Sequence, residues 1–372
     1  MNISKFNYVL PKNRITQTPA SPRDSSHLLV IDRKIGKISH HHFYDLPDLL
    51  TPNDVLVFNE TKVIPARIIG KKNTGGKVEI LLNKEISPDT WEVIFGGKLK
   101  VGSIVIFEGL VGKVLELGNY IAKIQFNKSG SALKSTFEKL GKTPLPPYIV
   151  PQDPESKIRR QYQTVYARLE GSVAAPTAGL HFTRRLLEKL KAKGIQTEYL
   201  TLHVGLGTFA PVKEREIEKH HIHSEYFELS KETANRLNKW KSEGKRIIAV
   251  GTTTTRVLET VANENSTLKT TSLKGMANLF IYPPRKLNFV DALITNFHLP
   301  KSTLLALVSA FVSYPNTKEK FKDFDSSLIG KAYREAIKKK YLLFIRRRKF
   351  NTVSPVRESN SRLALTKGSF CR

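Results

Sequence analysis

Polar, small and proton-carrying residues recur in this chain wherever an apolar run ends. The densest case is VGTTTTRVLE, residues 250–259. RIIAV reads as a buried strand ending at Val250, Gly251 as the turn, and a helix is expected to begin near Thr254 or Thr255. A strand–turn–helix start leaves backbone N–H groups unpaired at the positive end of the helix dipole, which suits an anion. Thr252, Thr253, Thr254 and Thr255 can cap that helix and also donate to a ligand. Arg256 in the first helical turn is disfavoured by the dipole, and makes sense if it faces a carboxylate or phosphate. The plain alternative is capping with a solvent-facing arginine. No Gly-Lys-Ser/Thr is present, so this is not a Walker loop.

Four further stretches repeat that chemistry. In ALITNFHLPKSTLL, 292–305, an apolar strand ends at Asn296 and His298, and Ser302 and Thr303 cap an apolar helix. AAPTAGLHFT, 174–183, ends in His181 and Thr183. LHVGLGTFAPV, 202–212, runs from His203 into Gly205 and Gly207, where glycines let a backbone approach a ligand closely. HIHSEYFEL supplies His223 and Glu225, an acid/base candidate pair. Taken singly, a histidine beside apolar neighbours is more often structural than catalytic. Near the start, Arg23, Asp24 and Ser25 precede a strand and could equally be a local cap network. The HHH run at 40–42 is expected in a loop, and no metal-ligand spacing is found. Several such elements, each at a strand end, point to one cleft for a small polar molecule.

The elements that must position these residues fall into two textures. HLLVIDR and DVLVFNE read as strands, with a helical turn at FYDLPDLL between them. From about 61 to 145, KVEILLNK, TWEVIFGG, SIVIFEG, KVLELG and YIAKIQF follow one another with no helix between, as in a small β-barrel. The proline cluster KTPLPPYIV closes it as a stiff linker. Strands and helices then alternate: TRRLLEKLKAKG, IQTEYLTLHV, KETANRLNKWKSEGK, RIIAV, TRVLETVAN, NFVDALITNFHL and STLLALVSAFV. Alternation of this kind makes a layered sheet. The expected fold is therefore an α/β/α domain formed by 1–60 and 150–344, split by a barrel inserted at 61–149.

The composition limits the partners. Lys and Arg number 61 against 33 Asp and Glu, a net charge of +28. That excess suits a polyanion, because cations that neutralise phosphates release counterions. No run approaches the ~18 apolar residues of a membrane span, and the N-terminal stretch lacks the pattern of a signal peptide. The one cysteine, Cys371, excludes a disulfide framework. A cytoplasmic protein is expected.

Longer stretches carry a resemblance. PASPRDSSHLLVIDR, VFNETKVIPARIIGKKNTGGKVEILL, YQTVYARLEGSVAAPTAGLHFT, LTLHVGLGTFAPV, IHSEYFEL, VGTTTTRVLET, LFIYPP and FVDALITNFHLPKSTLLALVSAF occur in that order. Together they make the chain similar to the S-adenosylmethionine:tRNA ribosyltransferase-isomerases of queuosine biosynthesis. The resemblance implies an α/β domain with an inserted barrel. It also implies transfer and isomerisation of the ribosyl part of S-adenosylmethionine onto 7-aminomethyl-7-deazaguanine at the tRNA wobble position. Epoxyqueuosine-tRNA, adenine and methionine are the products. S-adenosylmethionine would be a cosubstrate, with no cofactor or metal. The partner would be a tRNA with a GUN anticodon, met by a monomer.

Such chemistry needs a base beside the sulfonium and a proton for the leaving adenine, tasks that histidine can perform with its pKa of roughly 6.5. His181, His203, His223 and His298 are the candidates, their roles left open. Thr252–Thr255 with Arg256 would hold the methionine carboxylate, beside Gly205 and Gly207, and Asp291 and Asn296 the ribose hydroxyls. Arg23, Asp24 and Arg67 fall in shared motifs and are assigned to the substrate side. The alternatives are a non-catalytic RNA-binding protein on the same scaffold, or another nucleotide-dependent enzyme. The resemblance stops near Phe344. The basic segment 345–372 reads as a frameshifted ending that could inactivate the enzyme, or else as a disordered RNA-binding arm.

Overall fold

The computed structural model describes residues 1–342, apart from 17–18, 119, 146–152, 206–211, 213 and 272. The Gly207 expectation, most of the proline cluster and the 345–372 segment lie outside the described residues.

In chain order, β1 (His27–Asp32) and β2 (Lys37–His42) form a hairpin, followed by the short helix α1 (Leu46–Leu49). Next come β3 (Asp54–Asn59), β4 (Thr61–Val63) and the barrel strands β5 (Arg67–Lys72), β6 (Lys77–Ser87), β7 (Thr90–Gly96), β8 (Ile104–Phe107), β9 (Leu110–Leu117) and β10 (Ile121–Phe126). Helices α2 (Gly130–Leu140) and α3 (Glu155–Gln161) lead to β11 (Leu169–Ser172) and α4 (Arg184–Ala192). The remainder is β12 (Gln196–Leu202), β13 (Glu225–Glu228), α5 (Lys231–Ser242), β14 (Arg246–Val250), α6 (Thr252–Val261), β15 (Lys274–Ala277), β16 (Ala292–Ile294), α7 (Thr303–Phe311) and α8 (Leu328–Lys338).

Every residue of β3, DVLVFN, is buried. A strand apolar on both faces belongs in the middle of a sheet covered on both sides, and β3 lies inside the order β15-β13-β12-β3-β14-β16. Its pairings to β12 and β14 are parallel, as is β14 to β16. Alternate side chains serve alternate layers. Val55, Val57, Leu202 and Ile247 pack with Leu237, Leu258, Leu305 and Tyr333 of α5, α6, α7 and α8. Leu56, Phe58, Ile248 and Val250 pack with Leu186 and Leu190 of α4. This is the expected three-layer α/β/α arrangement.

The insertion is a closed six-stranded barrel, β10-β7-β6-β5-β8-β9. Its strands alternate, as in the exposed–buried pattern of IAKIQF, and their inward residues form a separate core. The sequence reading of strands alone needs one correction, because α2 follows the last strand. Leu133 and Phe137, one helical turn apart, sink into the barrel core, and Phe137 meets Trp91 edge-on at 5.4 Å. β4 pairs in parallel with β11 outside the barrel.

The histidine run is a second correction. His40–His42 lie in strand β2, not in a loop. His40 is held at Nδ1 by the Tyr341 hydroxyl (2.6 Å) and at Nε2 by Glu335 (2.7 Å), which ties the hairpin to α8. Among the described residues no group of three metal-ligating side chains comes together, and no helix is long and apolar enough to cross a membrane.

Candidate active site

The parallel strands β12, β3, β14 and β16 all end on one edge of the sheet. In open α/β sheets ligands bind outside the carboxyl ends, where the strand order reverses. Here that point is β3, with β12 on one side and β14 on the other. Asn59, its last residue, is fully buried. Its Nδ2 donates to the Leu202 carbonyl (2.9 Å) and to Thr253 Oγ1 (3.4 Å). Its Oδ1 accepts from the N–H groups of Leu202 (3.0 Å) and Thr61 (3.2 Å). One amide thus joins two strands, a third strand's start and the mouth of α6.

The threonine run divides in two. Gly251 takes φ +97°, the left-handed region that glycine reaches without strain, and α6 begins at once with Thr252, earlier than expected. The hydroxyls of Thr254 and Thr255 donate to the carbonyls of Val250 (2.8 Å) and Gly251 (3.1 Å) and are fully buried. They shape the turn and do not line a ligand site. Thr252 and Thr253 are buried at the N-terminus of a ten-residue helix that starts at the carboxyl edge of the sheet.

Arg256 does not face the cleft either, which corrects its expected role as a carboxylate clamp. Its guanidinium is buried in an ion pair with Glu225 and donates to the carbonyls of Ala277 (2.9 Å) and Leu279 (3.3 Å). The other Glu225 oxygen accepts the Gly205 N–H at 2.7 Å. Glu225 is therefore committed to the fold and not to an acid/base pair with His223, and His223 is exposed on the approach to β13. Gly205 contributes its N–H to this internal network.

Asp291 requires the same kind of correction. It accepts from Lys241 Nζ at 2.6 and 2.7 Å and from the Ile247 N–H at 2.8 Å. Ile247 lies at the start of β14, so Asp291 marks the amino edge of the sheet. Asn296 is five residues further on, about 16 Å away along an extended chain, and the two cannot serve one ribose.

Three of the four histidines are joined to hydroxyls at the carboxyl edge. His181 closes the 3-10 turn Thr177–His181, whose Ala178 packs near Gly251. Its Nδ1 lies 2.9 Å from Ser26 Oγ and its Nε2 lies 2.9 Å from Asn296 Oδ1. With the Asn296 oxygen as acceptor, Nε2 carries the proton and Nδ1 accepts from Ser26. Burial holds the His181 pKa below its ordinary value, and nearby Arg23 adds to this against the Asn296 hydrogen bond. His203 Nδ1 pairs with Thr61 Oγ1 at 2.8 Å, and its ring lies on Tyr226. Gly171, at φ +140°, lets the backbone rest against that ring, where a Cβ would stand 2.8 Å from Nε2. Burial lowers the His203 pKa, with Glu228 pulling the other way. His298 is buried, contacts Thr295 Oγ1 at 3.1 Å, and is pushed by burial down to about 3. Its main chain is clamped by the hydroxyls of Tyr8 and Tyr333.

Arg23 and Asp24 are a staple. Arg23 donates to the carbonyls of Arg160 (2.7 Å), Gln161 (3.0 Å) and Gln163 (2.6 Å) at the C-terminal end of α3. Asp24 Oδ2 accepts from Thr183 (2.8 Å), the N-cap of α4, while its buried Oδ1 has no partner. Arg67 sits in the barrel, paired twice with Glu79 at 2.8 and 3.0 Å. The guanidinium groups of both arginines are thus engaged inside the protein, and neither is a free substrate clamp. Asn59, Ser26 and Thr61 escaped sequence reading, although an asparagine closing the buried run VLVF was a usable sign.

A parallel-centred sheet with a polar carboxyl edge, interrupted by a barrel, defines a two-part α/β protein. The chain belongs to the family described as queuosine biosynthesis protein, whose sequence model matches residues 3–345. It is 45% identical over 352 residues to the S-adenosylmethionine:tRNA ribosyltransferase-isomerase of Thermoanaerobacter sp. strain X514, covering 92% of this chain and 97% of that one. Against the protein of the same name from Halothermothrix orenii it is 49% identical over 350 residues, with the same coverage. A crystal structure of S-adenosylmethionine tRNA ribosyltransferase from Thermotoga maritima is 34% identical, covers 91% of this chain and 96% of that one, and superposes with a TM-score of 0.49.

Proposed function

We infer that this protein transfers and isomerises the ribosyl moiety of S-adenosylmethionine onto 7-aminomethyl-7-deazaguanine at the tRNA wobble position, giving epoxyqueuosine-tRNA, adenine and methionine. The observation that carries this reading is the chain-long match to the queuosine family, with curated relatives of that activity at 45 and 49% identity. On this reading S-adenosylmethionine is consumed as a cosubstrate. The tRNA has a GUN anticodon, and the enzyme works in the cytoplasm as a monomer.

The reaction needs a base for the proton on the ribose carbon beside the sulfonium and a proton for the leaving adenine, while cleavage of the carbon–sulfur bond releases methionine. His181 and His203 are suited to moving protons, because burial favours the neutral ring that can accept one. Ser26 and Thr61 hold Nδ1 of the two rings, and the Asn296 oxygen keeps the His181 proton on Nε2. His298 is too strongly desolvated to share protons near neutral pH and acts as a neutral hydrogen-bonding group. The open start of α6 at Thr252 and Thr253 offers N–H groups to the methionine carboxylate, in place of Arg256. The Asn296 amide nitrogen is placed for a ribose hydroxyl, since its oxygen already holds His181.

The test is to incubate the protein with S-adenosylmethionine and tRNA bearing the aminomethyl base, and to measure free adenine. Release that depends on the modified tRNA is expected. Release with unmodified tRNA, or none at all, would sink the reading.

A further inference from the structure

A second hollow opens beside the cleft. β12 pairs with β13 only through Thr201 and Leu202, but with β3 over Gln196–Leu200. The chain after β13 turns away into α5, and the uncovered flank of β12 becomes one side of a cavity of about 580 Å³. Glu60, the residue after β3, and Glu228, at the end of β13, both line it. The hollow therefore adjoins the carboxyl edge described above.

Its charges are layered. The side chains of Glu60 and Glu198 are 9 and 8% exposed, while those of their partners Arg168 and Arg236 are 68 and 50% exposed. Glu228 likewise sits inside Lys274, which is 68% exposed. Carboxylates thus lie within and cations stand at the mouth, in a chain whose net charge is +28. Arg168 and Arg236 each hold their carboxylate through Nε and one terminal nitrogen, and the remaining guanidinium N–H groups of these exposed side chains can take a further partner. The half-buried Tyr199, stacked on Phe58 at 5.6 Å, provides an aromatic wall. Tyr166 also lines the hollow, and its buried hydroxyl has no hydrogen-bond partner among the described residues.

Few ligands match a negative, aromatic interior under a positive rim. The match is a flat base bearing a cationic substituent and attached to a phosphate chain. Unpaired RNA bases are bound by stacking on aromatic side chains, and flanking phosphates suit the two arginines of the mouth, Arg168 and Arg236. S-adenosylmethionine brings positive charge too, but only one carboxylate for that rim.

We propose that this hollow receives the target nucleotide of the RNA. The ammonium of the base meets the carboxylates of Glu60, Glu198 and Glu228, its ring lies along Tyr199, and Arg168 and Arg236 turn outward to the flanking phosphates. The proposal rests on the functional reading above and extends it to the substrate side of the same edge.

The test measures equilibrium binding of two tRNAs, one with the aminomethyl base at the wobble position and one with guanine there, together with S-adenosylmethionine binding. Wild type is expected to prefer the aminomethyl tRNA. Glu228→Gln, at a half-open position where loss of folding is not expected, should reduce that preference about tenfold, as for a hydrogen bond to a charged group. S-adenosylmethionine affinity should not change. The R168A/R236A double variant should weaken both tRNAs equally and flatten their salt dependence. A Glu228→Gln protein that binds both tRNAs as wild type does, or that loses S-adenosylmethionine instead, would overturn the assignment. Adenine release by wild type, followed in parallel, keeps failure of this site distinct from failure of the functional reading.

Discussion

His298 shows how much a single residue's burial decides. Its ring is packed where burial drives the pKa down to about 3, so it stays neutral in the fold at any ordinary pH. In the unfolded chain it titrates near 6.5. Above that value both states are neutral and its contribution to stability is complete. As pH falls from 6.5 towards 3 the unfolded state takes up a proton that the fold refuses, and stability is lost by roughly 1 kcal/mol per pH unit. Denaturant unfolding at pH 7 and pH 5 should show this loss in wild type and a smaller one in His298→Gln. Identical pH dependence in the two proteins would contradict the burial argument. His181 follows the same direction, so the acid limb of activity is expected below the ordinary histidine range.

Among the elements, the joint at the end of β3 matters most. Asn59 bonds to β12, to the start of β4 and to Thr253 at the head of α6, and it is fully buried. Asn59→Ala leaves several buried backbone and hydroxyl groups without partners, at a cost of about 3 kcal/mol. The same change loosens the relation between α6 and His203, so kcat should fall by more than the population of folded enzyme accounts for. Unfolding midpoints and adenine-release rates on one preparation would check both parts. A stability loss with unchanged turnover would separate the joint from the chemistry. The barrel closes on alternating apolar strands and the Leu133–Phe137 face of α2.

For the whole molecule, charge is the dominant property. A net charge of +28 on 372 residues implies association with RNA driven by counterion release. The logarithm of tRNA affinity is expected to fall linearly with the logarithm of salt, with a slope of about −6 or steeper for a footprint of several phosphates. Fluorescence anisotropy titrations at a series of salt concentrations measure it. A slope shallower than about −2 would mean that most of this charge never meets the nucleic acid.

Sequence alone was enough for the layered α/β architecture and the inserted barrel, and the long shared stretches were enough for the family. The architecture follows from local periodicity and from apolar runs closed by polar residues, which need only neighbours in the chain. Partner choice was not local. Arg256 has a sound sequence reason to face an anion, and the anion proved to be Glu225, 31 residues away and brought beside it by β13. Asp291 and Asn296 are close in sequence, yet an extended strand carries them to opposite edges of the sheet. Thr254 and Thr255 look like their neighbours, but helical geometry turns their hydroxyls back onto the preceding turn. Ser26 and His181, 155 residues apart, meet only when the hairpin and the 3-10 turn pack over the same strand ends. Tertiary packing decides which side chains are spent inside the fold and which remain for a ligand, because a buried charge or hydroxyl must find its partner wherever the fold supplies one.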